Sequence, residues 1–387
     1  MFSMKVCDLT QFYSPLSGGV KRYLEEKRKY AEAAGHEHIL IIPGPKTETI
    51  ATPQARTYSI AAPLVSKTSR YRVLLNLNAV ETILEAERPD VIESSDPYQV
   101  AWKAIASGDA LRIPVVGFYH SHFPEAYLRT TLKYFGQTAG DIMMDVVKHY
   151  VRSLYNHFTH TFVSSLGLAQ VLREWGVENA VLCELGVDTN TFRAGHDRCE
   201  TRHTLQMDPK RRLLLYVGRL APEKNVKTLF AAFSLLEDQL APGRFALLVV
   251  GDGPQREHLV ELQKRTNAVT WINYCSDQAQ LARYYRAADL FVHPGVQETF
   301  GLVALESQAC GTPVVGIRGS YMDRIIFADQ SHWSAENSPG SLAAAILAIS
   351  ETDLAKAGLQ ASKRVTARYS WNSVFRTMFD IYQQIRI

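Results

Sequence analysis

The sequence predicts an α/β protein built from two Rossmann-like domains, each a doubly wound parallel sheet. Three observations carry this reading. At 387 residues the chain is too long for one ordinary core and suits two domains of roughly 150–200 residues. Short apolar runs alternate with longer segments of helical spacing from end to end, the pattern of right-handed strand–helix–strand crossovers. That pattern occurs twice, on either side of a polar stretch over 189–208, TNTFRAGHDRCETRHTLQMD.

In the first half, strands are expected over 5–9, 38–42, 90–93, 113–119, 161–164 and 180–185. In the second they are expected over 213–217, 245–250, 269–272, 289–293 and 313–317. Several, LLLYV among them, are near-continuous apolar runs, as in parallel strands buried on both faces. Helical spacing marks 225–238, 255–265 and 280–288, and a last apolar helix is expected near 371–385. The polar stretch reads as a domain junction, with 1–195 before it and 196–369 after. Two such sheets facing each other would leave a cleft where the carboxyl ends of their strands meet.

Apolar residues make up 46% of the chain and charged residues 21%, a balance that excludes wholesale disorder. No apolar run approaches the roughly 18–20 residues that cross a bilayer. The start, MFSMKVCDLTQ, lacks the basic and then apolar regions of a secretory signal. Cys7, Cys183, Cys199, Cys275 and Cys310 are scattered without CxxC spacing, which argues against a disulfide framework or zinc ribbon and for a reducing cytoplasm. A net charge of +3 is too small to make nucleic acid the main ligand.

The most informative stretch is FVHPGVQETFGLVALESQACG over 291–311. A strand ends at His293, a Pro-Gly turn follows, and a helix begins near Phe300 and Gly301. The first-turn amides around Phe300, Gly301 and Leu302 suit a phosphate, because free N–H groups and the helix dipole converge there. A carboxylate repels phosphate, so Glu298 before the helix and Glu306 inside it fit sugar or ribose hydroxyls. The bland alternative is a solvated loop glutamate and a helix-surface glutamate. In LLLYVGRLAPEK over 213–224, Arg219 and Lys224 follow a buried strand on the same sheet edge. Two cations there can neutralise a pyrophosphate, although an Arg219–Glu223 surface pair and a solvated lysine explain the same residues.

Near the amino terminus, Gly18 and Gly19 in PLSGGV allow close backbone approach to a ligand, or simply form a turn. His120, in VVGFYHSHFPEAYLR, falls where a strand of the first sheet emerges. It can hydrogen-bond a substrate hydroxyl, carry charge near neutral pH, or serve as a structural histidine. His120 and His122 also form an HxH pair, a metal-ligand spacing, without a compact set of further ligands downstream.

Taken in order, these motifs resemble glycosyltransferase family 4, retaining enzymes of the GT-B fold that use nucleotide-diphosphate sugars. The resemblance spans essentially the whole chain. Glu298 and Glu306 stand in the family's E-x7-E arrangement within ETFGLVALE, followed by ACGTPVV; LYVGRLAPEKN, VVGDGP, ELGVDTNTF and SGGV match in turn. The resemblance implies that Arg219 and Lys224 bind the donor diphosphate, aided by amides near Gly18, Gly19 and Phe300–Leu302. It implies that Glu306 holds the ribose, Glu298 the hydroxyls of the transferred sugar, Tyr274 the nucleobase and His120 the donor sugar. It also brings 370–387 back to the first domain. YHSHFPEAYLR and YVRSLYNHFTHTFVSS look closest to the branch of GDP-mannose-dependent α-mannosyltransferases and sulfoquinovosyl-lipid synthases. His293-Pro-Gly and Gly319-Ser320-Tyr321 depart from the family's usual turns, which bears on the identity of the sugar.

The implied reaction moves a hexose from GDP-mannose or a UDP-hexose to a hydroxyl of a glycolipid, lipid-linked or polysaccharide acceptor. It proceeds with retention, by same-face attack, and without a divalent metal or other cofactor, since no DxD run lies at a strand end. The expected location is the cytoplasm. Peripheral contact with the inner face of the membrane is a further expectation, from the basic and apolar segments over 64–80 and 141–158, which core packing explains equally well. Three rivals remain: a metal-dependent hydrolase using His120 and His122, a non-catalytic sugar-nucleotide-binding protein, and a nicotinamide-dependent oxidoreductase. The last lacks GxGxxG after a first strand.

Overall fold

The computed structural model describes residues 3–11, 13, 19–65, 71–120, 124–296, 300–320, 322, 325–327 and 330–386. Its contacts divide the chain into two compact units, Met1–Glu184 with Val374–Ile387, and Leu185–Ser373.

The first unit holds β1 (Lys5–Leu9), β2 (Glu37–Gly44), β3 (Glu48–Ala51), β4 (Ala55–Ala61), β5 (Val91–Ser94), β6 (Val115–Tyr119), β7 (His160–Val163) and β8 (Ala180–Leu182). They form one sheet in the order β3-β4-β2-β1-β5-β6-β7-β8, parallel throughout except for the β3–β4 pair. Its helices are α1 (Gly19–Ala33), α2 (Leu77–Glu87), α3 (Gln99–Leu111), α4 (Pro124–Tyr155) and α5 (Leu166–Glu174). The β3–β4 pair was not expected from sequence. β3 lies at the sheet edge with most of its residues exposed, so it lacks the apolar run that marks the inner strands.

The second unit holds β9 (Arg212–Val217), β10 (Phe245–Val250), β11 (Val269–Ile272), β12 (Leu290–Val292) and β13 (Val314–Val315), in the order β11-β10-β9-β12-β13. All its pairs are parallel. Around it lie α6 (Arg198–Thr204), α7 (Val226–Leu235), α8 (Arg256–Arg265), α9 (Gln278–Ala287), α10 (Leu302–Ala309), α11 (Pro339–Ser350) and α12 (Leu354–Arg368). A last helix, α13 (Trp371–Ile385), begins in this unit and from Val374 onward belongs to the first.

α13 packs on the first unit through buried Phe375, Met378 and Phe379 and through a buried polar network. Lys27 of α1 is fully buried, and its Nζ lies 2.7 Å from Asp8 Oδ1, 3.1 Å from Glu93 Oε2 and 2.9 Å from the Tyr382 hydroxyl. Tyr382 also donates to Glu93 Oε2. Tyr23 donates to Glu93 Oε1 at 2.8 Å, and His38 Nε2 lies 2.6 Å from Asp8 Oδ2. Buried charges need this density of partners, because each ion taken out of water costs several kcal/mol. Although burial opposes it, Lys27 and the His38 bond hold the Asp8 carboxyl well below the carboxylate range. Burial wins at Glu93 and pushes it up to about 7 despite Lys27.

Candidate active site

Each sheet has a topological switch point, where successive connections leave in opposite directions and ligands of open α/β sheets bind beyond the carboxyl ends. In the second unit the point lies between β9 and its parallel neighbour β12, paired as Leu214–Leu290 and Leu215–Phe291. Beyond β9 come Arg219 and a 3₁₀ turn, Pro222–Lys224, closed by Asn225 in the left-handed region at φ 56°. Asn225 Nδ2 donates to the Pro294 carbonyl at 2.8 Å, which ties the Lys224 turn to the loop leaving β12. Sequence reasoning gave Asn225 no role; its signal is the short polar residue able to adopt a left-handed backbone after a lysine turn.

The loop after β10 braces this edge. Leu220 donates to the Asp252 carbonyl at 3.0 Å and accepts from the Gln255 amide at 2.8 Å. Gly251 has φ 139°, and a Cβ there would sit 2.0 Å from the Gly218 carbonyl oxygen. Only glycine allows the two loops so close.

Arg219 is largely exposed and pairs with Glu223 at 2.6 Å. Such exposed pairs are worth about 0–1 kcal/mol, little resistance to exchanging the glutamate for a phosphate. Lys224 is half-buried in the turn. Beyond β12, Gly301 takes φ 74° as the cap of α10 and Leu302 opens the helix. The first-turn amides of a helix have no acceptor of their own. Phe300 is buried and packs edge-on against Tyr369, with ring centroids 6.3 Å apart. Glu306 is not a helix-surface glutamate: it is 2% exposed and accepts from the Tyr285 hydroxyl at 2.9 Å. Tyr274 is 70% exposed. Glu298 lies outside the described residues.

In the first unit Gly19 opens α1 and is exposed; Gly18 and His122 lie outside the described residues. His120 follows β6, with its ring stacked on Phe118 at 3.8 Å and edge-on to Tyr23 at 5.1 Å. Its Nε2 lies 3.1 Å from Ser95 Oγ. Burial, and then the charge of Lys27, pushes its pKa down to about 3. That direction favours the neutral, hydrogen-bonding ring over a charged one.

Known proteins resemble this arrangement along the whole chain. Residues 17–191 match the family described as Glycosyltransferase Family 4, and residues 197–364 match Glycosyl transferases group 1. A GDP-mannose-dependent α-(1-6)-phosphatidylinositol dimannoside mannosyltransferase of Mycobacterium tuberculosis is 32% identical over 89% of this chain and 87% of its own. The chain belongs to glycosyltransferase family 4. A GDP-mannose-dependent α-mannosyltransferase of Corynebacterium glutamicum is 26% identical over 81% of this chain and 72% of its own. A sucrose-phosphate synthase of Thermosynechococcus elongatus superposes with a TM-score of 0.78 at 22% identity, covering 99% of each chain. That likeness shows the fold, two Rossmann-like units of the GT-B class. This family 4 member is accordingly an enzyme, a hexosyltransferase.

Proposed function

We propose that this glycosyltransferase moves a mannosyl unit from GDP-mannose to a hydroxyl of a glycolipid, with retention and without a divalent metal; a UDP-hexose is the second donor to test. The observation that carries the reading is the second unit's switch point. A cationic loop and the amino end of α10 leave adjacent strands there, in a chain 32% identical to a GDP-mannose-dependent enzyme.

In this reading Arg219, Lys224 and the amides of Gly19, Phe300, Gly301 and Leu302 receive the diphosphate. Glu306 takes the ribose, Glu298 the transferred sugar, and Tyr274 the base. As the bond from the anomeric carbon to the phosphate oxygen breaks, negative charge grows on the leaving group. Fixed cations and amides then bind the transition state more tightly than the ground state. The acceptor oxygen bonds to the same face of the anomeric carbon, and its proton passes to the departing phosphate oxygen. Neutral His120 hydrogen-bonds the sugar and needs no proton of its own to give.

Among the described residues no helix is long and apolar enough to cross a membrane. We place the enzyme in the cytoplasm, touching anionic lipid through α4, where Ile142 and Val146 are exposed one turn apart near Lys148.

The test is turnover of GDP-mannose, UDP-glucose, UDP-galactose and ADP-glucose with and without a chelator, with the anomeric configuration of the product read by NMR. GDP-mannose is expected to be fastest, with no loss on chelation and an α product. Stoichiometric bound metal and full inhibition by chelator would instead select the hydrolase reading. Binding of a sugar nucleotide without turnover would select the silent binder.

A further inference from the structure

The first unit's sheet has its own switch point, between β1 and β5, and the side chains there have no task in the scheme above. Asp96 follows β5 and is 1% exposed; Gln11 follows β1 and is 7% exposed. The Gln11 amide donates to Asp96 Oδ2 at 2.7 Å, and the Thr10 side chain hydrogen-bonds the same carboxylate. Among the described residues the other carboxylate oxygen, Asp96 Oδ1, is buried without a hydrogen-bond partner, and so are Gln11 Oε1 and Ser94 Oγ.

Buried polar atoms are nearly always paired. Three orphans at the ends of two adjacent strands, at the place where such sheets bind ligands, mark a site whose partner comes from outside the chain. Gln11 Oε1 can only accept, while the serine hydroxyl and, when protonated, the Asp96 carboxyl can do either, so the partner brings hydrogen-bond donors and acceptors, as hydroxyls do. A carboxylate here repels phosphate, which sets this site apart from the cationic edge of the second unit. Burial also pushes the Asp96 carboxyl up to about 7, which leaves it able to accept from a hydroxyl or donate to one. A purely structural cap on the Gln11 amide would need one oxygen and no buried acid; serine or asparagine would serve.

We infer that Asp96, with Gln11 and Ser94, forms the subsite that takes up hydroxyls of the acceptor's sugar or polyol portion. This rests on the glycosyl-transfer reading above. Asp96 and Gln11 lie beyond the carboxyl ends of β5 and β1, in the same unit as His120, whose Nε2 lies 3.1 Å from Ser95 Oγ.

The experiment uses the full chain, the donor that the sugar-nucleotide panel selects, and methyl α-D-mannopyranoside and myo-inositol as acceptor probes. Asp96→Asn is expected to raise the acceptor KM by about tenfold or more, the size of one lost hydrogen bond, while the donor KM stays within about twofold. Gln11→Ala keeps the backbone amide that Asp96 holds. It is expected to move the same constant by about threefold, and so tests the site even where the asparagine variant does not fold. An unchanged acceptor KM in both variants overturns the inference, and so does a donor KM that rises in step. A wild type that turns over its donor but gains no rate from either probe overturns the polyol assignment. A wild type that neither binds nor turns over any sugar nucleotide strikes the transfer reading beneath it.

Discussion

The two switch points solve the same topological problem with opposite chemistry. Beyond β9 and β12, Arg219 and Glu223 are exposed and hold each other loosely, while the backbone is fixed by Gly251, Gly301 and Asn225. Beyond β1, β5 and β6 the side chains are more withdrawn: Asp96 and Ser95 are buried, and the half-buried His120 ring packs on Phe118 and Tyr23. Beneath them Lys27 is neutralised by Asp8 and Glu93. A cationic loop on a rigid backbone suits a ligand that arrives highly charged and leaves more so. Withdrawn, near-neutral groups suit a ligand recognised by the directions of its hydroxyls.

Three tests bear on that contrast. Lys27→Met has the largest expected effect, because it strands Asp8 and Glu93 as an uncompensated buried pair. Loss of one partner in such a network costs about 3–5 kcal/mol, read as a lowered melting transition. Adding Asp8→Asn and Glu93→Gln is expected to restore much of it. A Lys27→Met protein that melts like the wild type would show that the network carries little of the first unit's stability.

Lys224→Ala is expected to leave the melting temperature nearly unchanged and to lower kcat/KM by about 10²–10³-fold, the usual cost of removing one group aimed at developing charge. Retention of most activity would remove Lys224 from the donor assignment. If Lys224→Ala is inactive but His120→Ala is not, the role given to His120 is wrong.

The smallest effect is a pH-dependent one at Asp96. Its folded pKa of about 7 lies above the ordinary 3.8, so the stability linked to its proton is complete below about pH 4 and is lost as pH rises through 7. Asp96→Asn is therefore expected to gain on the wild type in melting temperature as pH rises from about 5 to about 8. A difference that stays constant across that range would mean the carboxylate is solvated or paired.

How much of this was legible in the sequence follows from where each signal resides. Inner parallel strands carry their burial on every residue, so runs such as LLLYV were readable. The edge hairpin β3–β4 was not, because half its surface faces water. The Arg219–Lys224 loop and the α10 start were visible because strand, glycine and helix signals lie within a few residues of one another. Glu306 could be placed on a helix, but its burial comes from Tyr285 on another helix. Lys27 sits among the charges of KRYLEEKRKY and reads as solvated surface; the tyrosine that helps bury it lies 355 positions away. Asp96 is illegible in the same way. An acid after a strand is ordinary until the structure shows that only one of its oxygens is satisfied.

That separation of 355 positions between Lys27 and Tyr382 has a consequence for biosynthesis. Domains generally fold as they leave the ribosome, amino-terminal ones first. Here the earlier sheet waits with a charged lysine unsealed until α13, made after every strand of the second unit, has cleared the exit tunnel. The later unit has nearly all its parts in hand before then. Nascent chains stalled short of residue 382 should thus expose the first sheet's interior to chaperones and proteases while the second is already closed.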